Sequence, residues 1–322
     1  MRLIAEVQQA SDLIADADIL TTGTGTDPNL QDYEVLVTRD YVGGYTCHEA
    51  DETHEDDTQT AAIWLPNSAS GEKFPVVVFG HGFGGGGEKL YKSSEPLEYA
   101  AAGYAVIANE SAPNFKCHYM AKDMVRSLQW MCEESQYADM LDCDNMGIVG
   151  YSMGGLNTHL AASNAYDVDY FDPDRIKAAV SLHNGALNDY EEFYDGPLVN
   201  GEVPVPTTKV NHLWTGGTGD TYTRVSGQKV AYDQAVAEGN RDAMVMWGTG
   251  LVHAVPGASG NLWTPQVIQW FNCHLKGDED ACTYLLDPAE GLCAKEKIHV
   301  DSTNEDYDLS ACASYRAEGN ES

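Results

Sequence analysis

Residues 146–155 read Met-Gly-Ile-Val-Gly-Tyr-Ser-Met-Gly-Gly, a short apolar run that leads into the pattern Gly-x-Ser-x-Gly. The pattern predicts a strand, a tight turn at Ser152 and a helix that begins at Gly154. Glycine is needed at positions 150 and 154 because larger side chains would collide with each other or with a neighbouring strand. Such a turn strains the serine backbone and exposes the hydroxyl, which suits a nucleophile. The pattern also arises by chance in a chain with 31 glycines, so the neighbouring sequence must show whether it marks a turn of this kind.

A glycine-rich loop upstream strengthens this interpretation. The run Phe74-Pro-Val-Val-Val-Phe79 is typical of a buried strand, and residues 80–87 then read Gly-His-Gly-Phe-Gly-Gly-Gly-Gly. A loop of this kind lets backbone N–H groups approach a substrate oxygen closely. The N–H groups of Phe83 and Met153 are therefore our candidates for an oxyanion hole. The alternative is a flexible surface loop, which consecutive glycines would also suit.

A serine nucleophile needs a base, and His253 is our candidate for it. It lies in a loop after the predicted strand Ala243–Trp247, and a loop after the last strand is where this base belongs. The alternative is a loop histidine without a role. The other histidines downstream of Ser152 fall on predicted helices, at the ends of predicted strands or in the tail: His159, His183, His212, His274 and His299.

The base in turn needs an acid that orients it. Residues 213–221 read as a strand that runs into a glycine-rich turn ending at Asp220. An acid at the carboxyl edge of a sheet can accept the Nδ1–H of the base and hold its tautomer, so we select Asp220. Asp233 falls in a helical pattern and Asp242 precedes a strand. The alternative is that Asp220 only caps the next segment.

Two further residues are candidates for lining a substrate cleft. Tyr151 lies inside the turn, and His183 ends the predicted strand Ala178–Leu182, whose carboxyl end we expect beside Ser152. A buried, hydrogen-bonded structural role is an equal alternative for His183, and we assign it no catalytic role.

The apolar pattern alternates between strand-like and helix-like periods along the chain. We predict first strands at Tyr33–Thr38 and Thr60–Leu65, core strands at 75–80, 104–109, 146–150, 177–182, 210–215 and 242–247, and helices at Pro96–Ala102, Tyr119–Met140, Gly154–Asn164, Ser226–Ala237 and Pro265–Lys276. The alternation predicts an α/β fold with a mostly parallel central sheet flanked by helices, without a large cap domain. We expect an N-terminal extension at 1–30, one catalytic domain at 31–285 and a C-terminal tail at 286–322.

In sequence, the chain resembles the α/β-hydrolases of the cutinase-like and poly(ethylene terephthalate) hydrolase group, with the related chlorophyllase and dienelactone-hydrolase-like esterases. The resemblance spans residues 60–285 and rests on stretches that follow the family order: 74–83, 101–107, 150–155, 175–180, Asp220, His253 and 270–276. It implies the α/β-hydrolase fold, with Ser152 as nucleophile, His253 as base and Asp220 as acid. It also implies an oxyanion hole formed by Phe83 and Met153, and no cofactor.

Departures from the family pattern bear on the substrate. Bacterial polyester hydrolases carry a tryptophan on the loop where this chain reads Leu182-His183, and dienelactone hydrolases use cysteine where this chain has Ser152. We expect a secreted serine carboxylic-ester hydrolase that acts on neutral short- to medium-chain esters, with polyesters such as poly(ethylene terephthalate) as further substrates to test. The acidic and aromatic segment 184–208 is a candidate for covering the cleft.

The charge balance argues against several partners. The chain has 50 acidic and 18 basic residues and a net charge of −32, which disfavours binding to nucleic acid or to anionic membranes. No apolar run approaches the about 18–20 residues that span a bilayer. We expect a monomer without a metal site. The acidic runs at 48–57 and 167–174 lack the EF-hand spacing, so we favour solvated loops over calcium sites.

The chain has eight cysteines and no Cys-x-x-Cys pair, so we expect disulfides and an oxidising compartment rather than structural zinc. The pairs we predict are Cys132–Cys143, Cys273–Cys282 and, in the tail, Cys293–Cys312. The alternative is eight free thiols in a cytosolic enzyme.

Other functions remain open at this point. A triacylglycerol lipase would share the serine chemistry, but the sequence shows no long apolar cap. A peptidase would share it too, although such relatives usually carry an additional domain. A non-catalytic binding protein with the α/β-hydrolase fold is the alternative from another class, and such proteins typically lose the serine or the histidine.

Overall fold

The structure is a computed structural model. It describes residues 18–20, 33–43, 46–48, 52–54, 58–68, 71–85, 94–110, 119–163, 172–184, 208, 210–240, 242–253, 263–285 and 298–302.

The strands of the described residues form one large sheet and a small hairpin. Their bounds are β1 Asp18–Leu20, β2 Glu34–Gly43, β3 Thr46–His48, β4 Glu52–His54, β5 Thr58–Asn67, β6 Phe74–Gly80, β7 Ala105–Asn109, β8 Leu141–Tyr151, β9 Ile176–Leu182, β10 Asn211–Gly217, β11 Ala243–Gly248 and β12 Ile298–Ser302. Only β3 and β4 pair outside the large sheet.

The large sheet has the order β1-β2-β5-β7-β6-β8-β9-β10-β11-β12. Every pairing from β7 through β11 is parallel. The strands at both margins pair antiparallel. The carboxyl ends of the parallel strands therefore meet at one edge, which is where α/β proteins place their functional sites.

Helices cover both faces of this sheet. Their bounds are α1 Ser94–Ala101, α2 Tyr119–Glu133, α3 Met153–Ala162, α4 Val225–Ala237, α5 Thr264–Lys276 and α6 Glu279–Tyr284, with short 3₁₀ helices at Ala138–Met140 and Pro173–Arg175. Side chains of α1 and α5 pack into the hydrophobic core on one face of the sheet. Side chains of α2, α3 and α4 pack into the core on the other face.

Strand β6 shows why the sequence forms this layered structure. All seven of its residues are buried. Val77 and Phe79 belong to one core, whereas Val76 and Val78 belong to the other, since successive side chains of a strand point to opposite faces. A strand with both faces covered needs apolar residues at every position, and β-branched valines suit the extended backbone.

The predicted α/β class and the mostly parallel sheet with flanking helices are confirmed. One prediction about a helix is wrong: α2 ends at Glu133, and Ala138–Met140 is a separate 3₁₀ turn. The N–H of Ser135 bonds to the carbonyl of Trp130, five residues back, which ends the regular helical hydrogen bonding. The predicted domain limits stay predictions, although β1 and β12, from outside 31–285, both pair with the large sheet.

Two of the predicted disulfides are confirmed. Cys132 at the end of α2 is bonded to Cys143 in β8, and Cys273 in α5 is bonded to Cys282 in α6. The predicted partners Cys293 and Cys312 lie outside the described residues.

No helix in the described part of the chain combines the length and the hydrophobicity that crossing a bilayer requires. Most of the segment 184–208 and most of the acidic runs at 48–57 and 167–174 lie outside the described residues.

We predict that replacing Cys132 and Cys143 together by alanine lowers the free energy of unfolding by about 3 kcal/mol, because the bond closes a short loop in the unfolded chain. The two cysteines are 11 positions apart. Urea unfolding of the variant and the wild type measures the loss. The matched double replacement of Cys273 and Cys282, 9 positions apart, should cost a similar amount. An unchanged free energy of unfolding would contradict the role of the bond.

Candidate active site

Ser152 lies at the turn between β8 and α3 in a strained backbone conformation. Its φ of 55° and ψ of −114° lie in a region that side-chain-bearing residues rarely adopt. The serine is the N-cap residue of α3, and its side chain makes no capping hydrogen bond. Its N–H donates to the carbonyl of Leu182 at the end of β9. The turn therefore places Ser152 at the carboxyl edge of the sheet, with its hydroxyl bonded to His253 rather than to the helix. The expected exposure of Ser152 is wrong, because the ends of β6 and β9 pack against the turn and bury the residue.

The glycines on either side of Ser152 are sterically required. A Cβ atom at Gly150 would lie 2.3 Å from the carbonyl oxygen of Gly154, and a Cβ atom at Gly154 would lie 2.1 Å from the carbonyl oxygen of Gly80. Both distances are far below van der Waals contact. The start of α3 therefore packs backbone to backbone against the end of β6.

The structure brings the three predicted triad residues together. The Nε2 atom of His253 is 3.0 Å from the Oγ atom of Ser152, and its Nδ1 atom is 2.7 Å from the Oδ2 atom of Asp220. Asp220 follows β10 and His253 follows β11, and these two strands pair in parallel. With Nδ1–H donating to the carboxylate, Nε2 presents its lone pair to the serine hydroxyl.

Asp220 is held by five hydrogen bonds. Its Oδ1 atom accepts the N–H groups of Tyr222 and Thr223, and its Oδ2 atom accepts the Thr223 hydroxyl at 2.6 Å. Oδ2 also accepts Nδ1–H groups from His253 and His183. Burial by itself raises the pKa of this carboxyl, but the hydrogen bonds from both histidines and Thr223 outweigh it and hold that pKa well below its usual range. Asp220 is therefore a carboxylate at any physiological pH.

His183 is buried behind the triad. Its Nδ1 atom is 2.8 Å from Oδ2 of Asp220, and its Nε2 atom accepts the indole N–H of Trp263 at 3.2 Å. Its φ of 43° is, with that of Ser152, one of two positive values among the described residues other than glycine. The sequence proposed either a cleft residue or a buried, hydrogen-bonded one, and the structure places His183 in a buried, hydrogen-bonded position.

Aromatic rings pack around His253. The Tyr151 ring lies 5.0 Å from the imidazole, between centroids, and the Tyr222 ring lies 5.4 Å from it. Tyr151 is buried, whereas Tyr222 is exposed. Phe83 and Val252 are also exposed, and Val252 immediately precedes His253. Exposed apolar side chains, those of Tyr222 and Val252, therefore lie beside His253.

The two candidate oxyanion donors lie on the two segments that meet at the turn. Met153 is the first residue of α3, where backbone N–H groups have no partner within the helix. Phe83 follows Gly82, and a Cβ atom at Gly82 would lie 3.1 Å from the Tyr151 ring. The loop after β6 thus packs directly against the turn that carries Ser152.

One cluster among the described residues has the side chains of a metal site, namely His183, Asp220 and His253. Its geometry is that of hydrogen bonds. Both Nδ1 atoms lie 2.7–2.8 Å from one carboxylate oxygen, so each carries a proton and offers no lone pair there. His253 uses Nε2 toward the serine, and Trp263 donates to the Nε2 atom of His183. The arrangement of these three side chains therefore orients the Nδ1 protons of both histidines toward Asp220.

Three other histidines downstream of Ser152, namely His159, His212 and His274, are not brought to this site. His212 stacks on Trp214 with 3.9 Å between ring centroids, and burial holds its pKa well below the usual value. His159 packs beside these two rings. His274 lies on α5, where burial lowers its pKa to about 4.

Glu95 is a buried acid. It lies in the first turn of α1, is fully buried, and neither of its carboxyl oxygens makes a hydrogen bond to any residue that the structure describes. Burial, with a smaller contribution from the charge of Glu98, raises its pKa to about 8. The Glu95 charge also helps to raise the pKa of Tyr151, after burial and Asp220, so it lies within electrostatic reach of the site.

Sequence reasoning missed Thr223, Trp263, Tyr222 and Glu95. Thr223 could have been predicted from the sequence, because a hydroxyl three residues after a proposed catalytic acid is a common partner for its carboxylate. The others carry no local signal, since their positions follow from contacts across the fold.

Comparison with known proteins shows that no protein-family model matches the chain and that no curated protein matches it significantly.

We predict that Gly154→Ala destabilises the protein by about 3 kcal/mol or more, because its methyl group would overlap the Gly80 carbonyl and shift two backbones. Gly239→Ala is the matched control. Gly239 has a φ of 78° and open space around it, so only the backbone strain of about 1–2 kcal/mol applies. Urea unfolding compares the two. Equal losses would contradict the tight packing at the turn.

We predict that Glu95→Gln stabilises the protein more at pH 8 than at pH 5. The pKa of Glu95 is about 8 in the folded protein, whereas its ordinary value is 4.5. At a pH between these two values, Glu95 has lost its proton in the unfolded chain and keeps it in the folded protein. The wild type then loses about 1.4 kcal/mol per pH unit from this group as the pH rises, and the amide removes that loss.

Thermal or urea unfolding at both pH values measures the difference between variant and wild type, which cancels the contribution of the other carboxyls. The exposed Glu238 provides the control, and Glu238→Gln measures what the same replacement does at the surface at both pH values. A Glu95→Gln gain that is equal at both pH values would contradict a buried, neutral Glu95.

Proposed function

We propose that this protein is a serine hydrolase of carboxylic esters with the α/β-hydrolase fold. The observation that carries the proposal is one continuous hydrogen-bonded chain, from the Ser152 hydroxyl through His253 to Asp220, with donor–acceptor distances of 3.0 and 2.7 Å. A strained serine at the start of a helix, an imidazole whose Nε2 faces the serine and a buried carboxylate in this order are what nucleophilic attack on an acyl group requires.

In the proposed acylation step, Ser152 Oγ attacks the ester carbonyl carbon while His253 Nε2 takes the hydroxyl proton. The carbonyl oxygen becomes an oxyanion and accepts the backbone N–H groups of Phe83 and Met153. Asp220 stabilises the imidazolium that forms on His253 and does not itself take a proton. The carbon–oxygen bond to the alcohol then breaks, and the alkoxide leaves with the proton from Nε2.

In the proposed deacylation step, a water molecule replaces the alcohol. His253 Nε2 takes a proton from this water, whose oxygen attacks the acyl–serine carbonyl. The same N–H groups hold the second oxyanion, and its collapse returns the proton to Ser152 Oγ and releases the carboxylic acid. No cofactor takes part in this scheme.

The fold assignment rests on the order and position of the site residues. Serine, acid and histidine occur in that order along the chain, which is the order of α/β-hydrolases. The serine follows β8, the acid follows β10 and the histidine follows β11, all at the carboxyl edge of the parallel strands. Together with the glycine-rich loop after β6, this supports membership of the cutinase-like esterases that the sequence resembles.

The surface around the site favours a neutral, apolar substrate. Three of the five large hydrophobic side chains that are exposed among the described residues, Phe83, Tyr222 and Val252, adjoin or belong to the proposed site. The net charge of −32 disfavours anionic substrates and favours release of an acidic product. Short- and medium-chain esters, and accessible chains of a polyester, meet both conditions. A triacylglycerol lipase is the alternative, and it would differ from the esterase in its preference for substrates with long acyl chains.

We further propose that the protein is secreted and acts as a monomer. The two disulfides support an oxidising compartment, because such bonds rarely persist in a reducing cytosol.

A non-catalytic binding protein fits these observations less well. A Ser152 backbone in an unfavourable region costs about 1–3 kcal/mol, and a binding scaffold has no reason to retain that cost together with an aligned histidine and acid.

The proposal is tested by initial rates on p-nitrophenyl esters from acetate to palmitate. We predict activity that is highest on short to medium chains and that falls by about 10⁴-fold or more in Ser152→Ala, because the nucleophile and its partners act as one unit. Highest activity on long chains would instead favour a lipase.

Ser163→Ala serves as the matched control. Ser163 lies at the other end of α3, where its hydroxyl donates to the Leu160 carbonyl, and its loss should leave the rate unchanged. Hydrolysis of every ester at the same rate in Ser152→Ala and the wild type would exclude the proposed nucleophile. Absence of any hydrolysis in the wild type would instead favour the non-catalytic binding protein.

A further inference from the structure

A second histidine lies on the acid of the proposed triad. His253 and His183 both direct Nδ1 at the Oδ2 atom of Asp220, at 2.7 and 2.8 Å, and their rings meet edge to face. The serine chemistry uses only one of them. His183 does not contact Ser152 in any described hydrogen bond, and it is buried.

The partner of its other nitrogen sets the protonation of His183. The Trp263 indole N–H can only donate a hydrogen bond, and it lies 3.2 Å from Nε2 of His183. Nε2 must therefore present a lone pair, and the single ring proton must sit on Nδ1, facing Asp220. A protonated His183 would set two N–H groups against each other.

The neutral state of His183 matters for the charge of Asp220. A neutral imidazole gives the carboxylate a hydrogen bond and leaves its negative charge in place. An imidazolium at the same position would neutralise that charge, and Asp220 would then stabilise a developing positive charge on His253 less well. The titratable groups that face the His183 ring within the described residues are Asp220, His253 and Tyr151.

The backbone directs His183 to this place. Its N–H donates to the Thr215 carbonyl on the neighbouring strand, and its φ is positive. The preceding residue, Leu182, accepts the N–H of Ser152. The end of β9 is thus bonded both to the turn that carries the serine and to β10, which leads to the acid.

We propose that His183, held in its neutral form by Trp263, is a positioning residue that fixes the Asp220 carboxylate and reserves its charge for His253. The inference rests on the proposed ester hydrolysis. It assigns to Trp263, at the start of α5, a role in the pH dependence of that reaction.

The experiment compares kcat, KM and the pH dependence of kcat/KM for three variants. His183→Leu removes the hydrogen bond, and we expect kcat to fall about 10- to 100-fold with little change in KM. His183→Asn keeps an N–H donor and should recover part of the rate. Trp263→Phe removes the donor to Nε2 together with part of the indole ring, so His183 becomes free to take a second proton. We expect its kcat/KM to fall more at pH 6 than at pH 9.

Trp270→Phe is the matched control for the tryptophan variant. Trp270 lies on the same helix, is buried, and its indole N–H has no hydrogen-bond partner within the described ranges. Its replacement removes the same atoms elsewhere and should leave the shape of the pH profile unchanged.

A measurement that does not depend on catalytic activity makes the test independent of the proposed function. Nitrogen-15 NMR of histidine-labelled protein reports which ring nitrogen carries the proton. We expect a neutral His183 with the proton on Nδ1 in the wild type, and a His183 that takes up its second proton more readily in Trp263→Phe. If the wild type hydrolyses no ester through Ser152, the proposed function fails, and the NMR spectrum still decides the protonation of His183.

Either of two results would overturn the inference. One is a His183 that carries its proton on Nε2, or both protons, in the wild type. The other is an active wild type whose kcat and pH profile are unchanged in both His183→Leu and Trp263→Phe.

Discussion

The close contact between the end of β6 and the start of α3 organises this molecule. A Cβ atom at Gly154 would lie 2.1 Å from the Gly80 carbonyl oxygen, so the two backbones touch with no side chain between them. This contact places the glycine-rich loop after β6 against Ser152. Because Ser152 also bonds to Leu182, three strand ends converge on one serine. The strained backbone at Ser152 persists because the packing of all three segments determines it.

Parallel pairing brings the other two groups to the same edge. Gly217 and Gly248, the last residues of β10 and β11, are partners in register, so the loops that follow begin side by side. The N–H of Thr218 bonds to Gly248, and the N–H of Gly219 bonds to Leu251. These bonds tie the loop of Asp220 to the loop of His253. The 2.7 Å contact between acid and histidine thus follows from strand register.

Two carboxyl groups in this region of the fold, those of Asp220 and Glu95, differ in the number of hydrogen bonds that they accept. Asp220 accepts five hydrogen bonds, whereas the buried Glu95 accepts none from the described part of the chain, and burial raises its pKa to about 8. One carboxyl is thereby kept charged and another kept uncharged in the same region of the fold. The physical difference is the supply of donors, since burial disfavours the charged form of both.

Local sequence was sufficient for the eight predicted strands, which correspond to β2 and to β5 through β11, for the glycines of the turn and for the two short-range disulfides, because periodicity and spacing report burial and chain reversal directly. It did not predict the marginal strands β1 and β12 or the hairpin of β3 and β4. It also indicated Asp220 and His253 as candidates, since each follows a strand of the same edge. Long-range packing was needed for the rest. Ser152 and His253 are 101 positions apart, and Trp263 is 80 positions from His183. Local pattern carries no information on which side chains meet across such separations. The sharing of Asp220 by two histidines and the burial of Glu95 therefore arise from strand order and helix placement alone.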